Sequence, residues 1–129
     1  MAIEFTVRLD NRPGQLGRLG LVLGDAGINI DAAHQMSIGP ESIVQFVPAS
    51  VDGATRALSA AGIEYSTREV LVVNILDEPG TLGDVAMVMA DAGINIESMY
   101  LMIDGGVVLS VDDLPGAMQV AGGMAVAIR

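Results

Sequence analysis

Two short runs in this chain have the residue types to hold a small charged molecule: Asn11-Arg12-Pro13-Gly14 and Asp77-Glu78-Pro79-Gly80, each leading into an apolar-periodic segment. A Pro-Gly turn that feeds a helix leaves the helix's first backbone N–H groups without internal partners, and the helix dipole adds partial positive charge there. Such an end can hold a carboxylate. Gly14 and Gly80 let ligand atoms approach the backbone closely, while Gly17 and Gly83, one turn on, remove side-chain bulk beside the same spot. These glycines have a second reading, tight packing of helix against sheet, and spacing alone does not separate the two. Arg12 stands where the other run has Glu78, a reversal of charge at the same turn. Pointing inward, Arg12 is a bidentate carboxylate clamp; pointing outward, it is a solvated loop residue.

The remaining polar residues suggest little chemistry. His34 is the only histidine, and the strand register places it on a helix-facing side, as a satisfied or edge histidine in preference to a catalytic base. Asp112-Asp113 precedes Leu114-Pro115 and reads as the cap of a last helix, with metal binding the lesser alternative. The eight methionines, with Met87, Met89, Met99 and Met102 close together, suit an adaptable core or a subunit contact. No set resembles a nucleophile with its base, a paired acid and base, or a phosphate-binding Walker loop. The absence of cysteine excludes disulfides, thiol nucleophiles, iron–sulfur clusters and thiolate zinc sites. No metal or cofactor is expected.

Charge narrows the partners. Six basic residues, all Arg, face sixteen acidic ones, for a formal net charge of −10, a field that repels phosphate backbones. With only two Phe and two Tyr, a base-stacking platform is also missing. Nucleic acid is therefore not an expected partner. The apolar residues, 51% of the chain, come in short runs broken by Gly, Asp and Asn, far from the ~20 uninterrupted positions of a membrane span. No basic or apolar leader precedes Ile3, so a cytoplasmic location is the expectation.

The elements that position the two turns are themselves duplicated. Pro13 to Ile30 recurs as Pro79 to Ile96 with eleven of eighteen residues identical and no gap. A period of 66 residues is too long for a solenoid unit and matches a compact domain, which divides the chain into modules at 1–68 and 69–129. Ile3, Phe5, Val7 and Leu9 alternate with Glu4, Thr6, Arg8 and Asp10, the signature of a half-buried strand. Leu16, Leu19, Leu23 and Ala26 then fall on one helical stripe that ends at Gly27. Ile28, Ile30, Ala32, Met36 and Ile38 alternate again, Ile43 to Val47 gives a third strand, a helix covers about 52–61, and Ile63 to Thr67 supplies a fourth strand. The second half repeats this order, with strands near 70–76, 94–103, 107–111 and 124–128 and helices near 81–92 and 114–121. The expected fold is α+β: two tandem ferredoxin-like βαββαβ modules, each an antiparallel sheet with both helices on one face.

The open faces of the two sheets differ. In the first module the outward set Glu4, Thr6, Arg8, Asp10, Asn29, Asp31, Gln35 and Ser37 suits water. In the second, Val70, Val72, Asn74 and Leu76 with Asn95, Glu97, Met99, Leu101 and Ile103 leave an apolar patch that a partner surface is expected to cover, which points to a homodimer. A slip of one residue in strand register would exchange these faces.

The combination of turn, helix length and following Asn-Ile resembles the core motif of ACT domains, the small βαββαβ modules that sense amino acids. Asn11-Arg12-Pro13-Gly14-x-Leu16 with Gly27-Ile28-Asn29-Ile30 is similar to the serine-sensing domain of phosphoglycerate dehydrogenase. Glu78-Pro79-Gly80-x-Leu82 with Asn95-Ile96-Glu97-Ser98 is similar to the regulatory subunit of acetolactate synthase. The resemblance implies a ligand held between two modules, by the turn before the first helix of one and the start of the second strand of its neighbour. It places the amino acid's ammonium and carboxylate against Asn11, with Arg12 beside it, and the Gly14, Gln15 and Leu16 backbone, with Asn29 and Ile30 at the strand. The equivalents in the second copy are Asp77, the Gly80, Thr81 and Leu82 backbone, and Asn95 and Ile96. Asp77 puts an acceptor-only carboxylate where the first copy has an amide, and Leu9 stands where the serine sensor has a histidine. The implied function is a non-catalytic sensor that binds an amino-acid effector and regulates a partner enzyme of amino-acid metabolism. The alternative is an interaction subunit that docks on an enzyme without a ligand. An acylphosphatase-like enzyme would use Arg12 and Asn11 in a phosphate loop, against which the acidity and the duplication argue.

Overall fold

The computed structural model describes residues 2–123 and 127–128, which form two compact units, one from Ile3 to Arg68 and one from Glu69 onward. In the first, β1 (Ala2–Asp10), α1 (Gln15–Asp25), β2 (Ile30–Ile38), β3 (Glu41–Pro48), α2 (Val51–Ala60) and the start of β4 (Ser66–Asn74) follow in order. β3 lies between β2 and β1, both antiparallel to it, and β1 lies between β3 and β4. In the second, the rest of β4 is followed by α3 (Thr81–Asp91), β5 (Ile96–Leu101), β6 (Gly106–Val111), α4 (Leu114–Gly122) and β7 (Ala127–Ile128). There β6 lies between β5 and β4, and β7 pairs with β4. Each unit is thus the expected βαββαβ arrangement. The two strands expected at 63–67 and 70–76 are one continuous strand, β4. Part of the strand expected at 124–128 lies outside the described residues.

The alternation in β1 sets the first core. Phe5 and Val7 turn to one face, where α1 contributes Leu19 and Leu23, α2 contributes Ala54 and Leu58, and β3 contributes Val44 and Phe46. In the second unit Leu71, Val73, Val107 and Leu109 meet Val85 and Met89 of α3 and Ala117 and Ala121 of α4. The expected helical stripe in α1 is shorter than its spacing suggests: Leu16 is half exposed and Ala26 is an exposed C-cap.

Helix ends follow the residues. Ser50 caps α2 by accepting from the Gly53 N–H at 3.0 Å, a contribution of about 1 kcal/mol. Gly27 and Gly93 both take positive φ just past their helices. Their N–H groups bond Gly24 and Ala90 carbonyls, and those of Ile28 and Ile94 reach Leu23 and Met89, the Schellman pattern that glycine makes cheap.

Two bulges correct the expected faces. Ile30 pairs with Pro48 and Ala32 with Val47, which leaves Asp31 as an extra residue in β2; Ile96 pairs with Val111 and Ser98 with Ser110, which leaves Glu97 extra in β5. One inserted residue turns every later side chain to the other face. His34 therefore sits opposite Gln45, which is also opposite Thr6, on the open face and not on the helix side. Met99 and Leu101 sit opposite Leu109 and Val107 of the helix-side core, and Ser98 and Tyr100 take the open face. The apolar patch expected on that face is divided accordingly. Val70, Val72 and Val108 are buried within the chain itself, so these positions need no second chain to cover them. Glu4, expected in water, is fully buried and accepts from Gln45 Nε2 at 3.4 Å.

Candidate functional site

Both Pro-Gly turns enter their helices in the same way. Gly14 (φ 88°, ψ −14°) and Gly80 (φ 90°, ψ −14°) are the N-caps of α1 and α3, in the left-handed region, and neither helix has a side-chain cap. An L-residue pays about 1–2 kcal/mol for that conformation. A Cβ built on Gly14 meets nothing within 4 Å, so Gly14→Ala is expected to cost about 1 kcal/mol of unfolding free energy from backbone strain alone. Urea denaturation checks it, and an unchanged midpoint would reject the strain account.

The same test of space separates the two readings of Gly17 and Gly83. A Cβ on either would meet nothing within 4 Å, whereas one on Gly53 would lie 2.3 Å from Ile28 Cδ1. Close packing therefore explains Gly53 and does not explain Gly17 or Gly83. Neither helix entrance has a side-chain cap, although at α3 the Thr81 N–H donates to the Glu78 carbonyl at 3.3 Å.

The residues around the turns are less free than their types suggest. The Asn11 amide donates to the Gly39 carbonyl at 2.9 Å, its Oδ1 accepts from Ser37 Oγ at 3.2 Å, and its backbone N–H reaches Pro40. Asn11 thus ties the turn to the β2–β3 hairpin. Arg12 pairs with Asp10 at 3.4 Å with both side chains mostly exposed, which is the outward, solvated arrangement, and such a pair contributes little. Asn29 donates from Nδ2 to Asp31 Oδ1 at 3.0 Å. Asn95 is held by its backbone N–H, which donates to Asp112 Oδ1 at 3.0 Å, while Asp113 caps α4 through Gly116. The acidic pair therefore divides its work, and only Asp113 is the helix cap. Ile30 and Ile96 pack against their cores.

Two hollows flank the helix entrances. In the second unit one of about 310 Å³ is lined by Leu76, Asp77, Glu78, Leu82, Leu101, Met102 and Gly105. It brings Asp77 and Leu82 together but not Asn95 or Ile96. Its character is an apolar floor with a carboxylate rim. In the first unit one of about 270 Å³ adjoins Arg8, Asp10, Gln15, Arg18 and residues 62–64. It includes Gln15 and omits Asn11, Arg12 and Asn29. Arg8, Arg18 and Glu64 carry no motif and were invisible to spacing; the one available signal was Arg18 standing where the repeat has Asp84. Among the described residues no cluster of His, Asp and Glu has a metal-holding arrangement, and no helix is long and apolar enough to cross a membrane.

A family model for the ACT domain matches residues 3–61 and again residues 70–120. The chain belongs to the ACT-domain family. Its two units are ACT modules, and the turns at Gly14 and Gly80 are the motif by which the sequence resembled that family. No curated protein matches the chain by sequence. Among solved structures, protein BT0572 from Bacteroides thetaiotaomicron is similar with a TM-score of 0.91 at 22% identity, over 99% of this chain and 91% of that one. The regulatory subunit of aspartate kinase from Thermus thermophilus is similar with a TM-score of 0.70 at 19% identity, over 94% of this chain and 87% of that one. Aspartokinase alpha and beta subunits give 0.64 at 19% identity, over 92% and 88% of the respective chains. At these identities the likeness is one of fold. ACT modules are regulatory modules, and this tandem ACT chain has the architecture of a regulatory protein.

Proposed function

We propose that this tandem ACT protein is a non-catalytic sensor that binds a free amino acid and thereby regulates an enzyme of amino-acid metabolism in the cytoplasm. The observation that carries the reading is the pair of helix entrances without side-chain caps, with glycines at Gly17 and Gly83 that no packing explains. Those N–H groups and the helix dipole suit a carboxylate. A chain of similar fold is the regulatory subunit of aspartate kinase in Thermus thermophilus, which supports regulation of an enzyme. The exposed Leu76, Leu101 and Ile103 offer that enzyme, or a second copy of this chain, an apolar surface.

A ligand of about ten heavy atoms binds in the micromolar to millimolar range once immobilisation is counted. Any amino acid present at 100 times its Kd is expected to stabilise the folded chain by about 2.7 kcal/mol. A thermal-shift series with the twenty amino acids at about 5 mM reads this directly. Asn29→Ala and Asn95→Ala then report which copy responds, whereas Asn11→Ala also loosens the hairpin and is read for stability first. A flat series with a folded chain favours the second reading, a ligand-independent docking subunit. That reading has its own support: the Asn11 amide is already engaged at both ends, and its counterpart Asp77 repels a carboxylate.

A further inference from the structure

The hollow of about 310 Å³ in the second unit is bordered by apolar residues that the fold leaves in water. Leu76 and Leu101, which line it, are 65% and 64% exposed, and Ile103, between the lining residues Met102 and Gly105, is 87% exposed. Ile103 sits in the turn between β5 and β6. That turn is held by the Gly105 N–H on the Met102 carbonyl at 3.2 Å and by the Gly106 N–H on Asp104 Oδ1 at 3.3 Å. Neither bond uses the Ile103 side chain, and turns favour Gly, Pro, Asn, Asp and Ser, so the fold does not explain an isoleucine there. The first copy has no such surface. At the positions of Leu76, Asp77, Glu78 and Leu101 it carries Asp10, Asn11, Arg12 and Gln35.

Charge decides what can cover it. Residues 1–68 carry seven acidic and five basic side chains, whereas residues 69–129 carry nine acidic ones and a single base, Arg129. The second half therefore holds most of the chain's negative charge. In the first unit Arg8 and Arg12 pair with Glu41 and Asp10, but Asp77 and Glu78 on the rim of this hollow have no ion pair among the described residues. A second copy of the chain does not fit. A closed two-fold dimer presents the same patch from both chains, which would set Asp77 and Glu78 against their own counterparts, and like charges so placed oppose association.

We propose that this surface docks a basic amphipathic segment of a partner protein, its apolar side chains on Leu76, Leu82, Leu101 and Ile103 and its Arg or Lys side chains on Asp77 and Glu78. The proposal rests on the reading of the chain as a regulator of an enzyme, in its sensor or its docking form, and adds the chemistry of the contact. Arg and Lys lay their aliphatic stems along apolar surface while the charged heads reach outward, which matches an apolar floor with a carboxylate rim. Apolar burial supplies the affinity. The negative field of the second half steers the encounter and selects against acidic partners, an effect that salt weakens.

The probe is a short synthetic peptide that alternates Leu with Arg, titrated into the isotopically labelled full chain and followed by amide chemical shifts. The shifts are expected to concentrate at 76–82 and 101–105. Ile103→Ser is expected to weaken the peptide about tenfold, and Asp77→Asn about threefold with a shallower salt dependence. Asp91→Asn removes an equal charge from the far end of α3, outside the hollow, and is expected to leave the affinity unchanged. A peptide alternating Ser with Arg, which keeps the charge and loses the apolar contact, is expected to bind about tenfold more weakly. All three substituted residues are exposed, and circular dichroism confirms that the variants fold. Equal weakening by Asp77→Asn and Asp91→Asn, with Ile103→Ser at wild-type affinity, would show attraction to net charge alone and overturn the proposal. Absence of binding to the wild-type chain would overturn it too, as would self-association of the chain that Ile103→Ser abolishes, which assigns the surface to a second copy. An amino-acid response in the thermal-shift series alongside any of these failures leaves the sensor reading standing, whereas site-dependent docking with a flat series leaves this surface standing without a ligand.

Discussion

Phe46→Ala is expected to lower the unfolding free energy by about 3–5 kcal/mol, the range for truncating a buried aromatic. Phe46 has no exposed surface and lies opposite Phe5 in the β1–β3 register, with ring centroids 5.4 Å apart and planes at 24°. Tyr65 joins them at 5.3 Å from Phe5. Three of the chain's four aromatic residues are therefore in one cluster, and the truncation removes one ring from it. A unit of about 65 residues buries only roughly 60% of its unfolded surface, so a loss of this size removes most of its margin. Urea denaturation followed by far-ultraviolet circular dichroism measures it. Phe46→Leu keeps most of the volume and loses the aromatic pair, a smaller effect of about 0.5–1.5 kcal/mol beyond the area term. A loss below about 1 kcal/mol for Phe46→Ala would contradict the packing described.

Met89→Ala is the matching experiment in the second core, with an expected loss of about 2–5 kcal/mol. Met89 is fully buried among Leu71, Val85, Leu109 and Ala117. Its carbonyl also receives the Ile94 N–H at 2.9 Å. The alanine variant retains that carbonyl, so the Schellman end survives and the loss reports the cavity alone. Met89→Leu, close in volume, is expected to cost less than about 1.5 kcal/mol. The two core clusters have no residue in common, so the losses in a Phe46→Ala, Met89→Ala double variant should be nearly additive to the extent that the folded baseline survives. Equal losses for Met89→Ala and Met89→Leu would point to the thioether and away from volume.

Much of this architecture was legible because the signals were local. Alternation in β1, the Pro-Gly turns, and the glycines at 27 and 93 each depend on a few adjacent residues, and each is found where the pattern puts it. The faces of β2 and β5 were not legible. Periodicity assumes an unbroken pleat, and a bulge at Asp31 or Glu97 inverts everything after it without disturbing the composition on either side. The inversion moved His34, Met99 and Leu101 together. Glu4 belongs by type and alternation to a wet face, and only the folded chain shows its burial. At the site, the turn glycines were visible from their motif, but the engagement of Asn11 depends on Ser37 and Gly39, more than twenty-five residues away. The hollow beside α1 joins residues from β1, α1 and the loop after α2, a convergence that no spacing along the chain encodes.

The two bulges also date themselves. They interrupt β2 and β5 at Asp31 and Glu97, positions one repeat length apart, and an irregularity inherited by both halves is older than the event that made two halves of one. The ancestral single module already had a kinked second strand. Arg18 against Asp84, and Asn11 against Asp77, differ between the halves and so arose afterwards. The history of the chain is then one of a fixed backbone on which charge diverged, with equivalent surfaces of the two descendants taking opposite electrostatic characters.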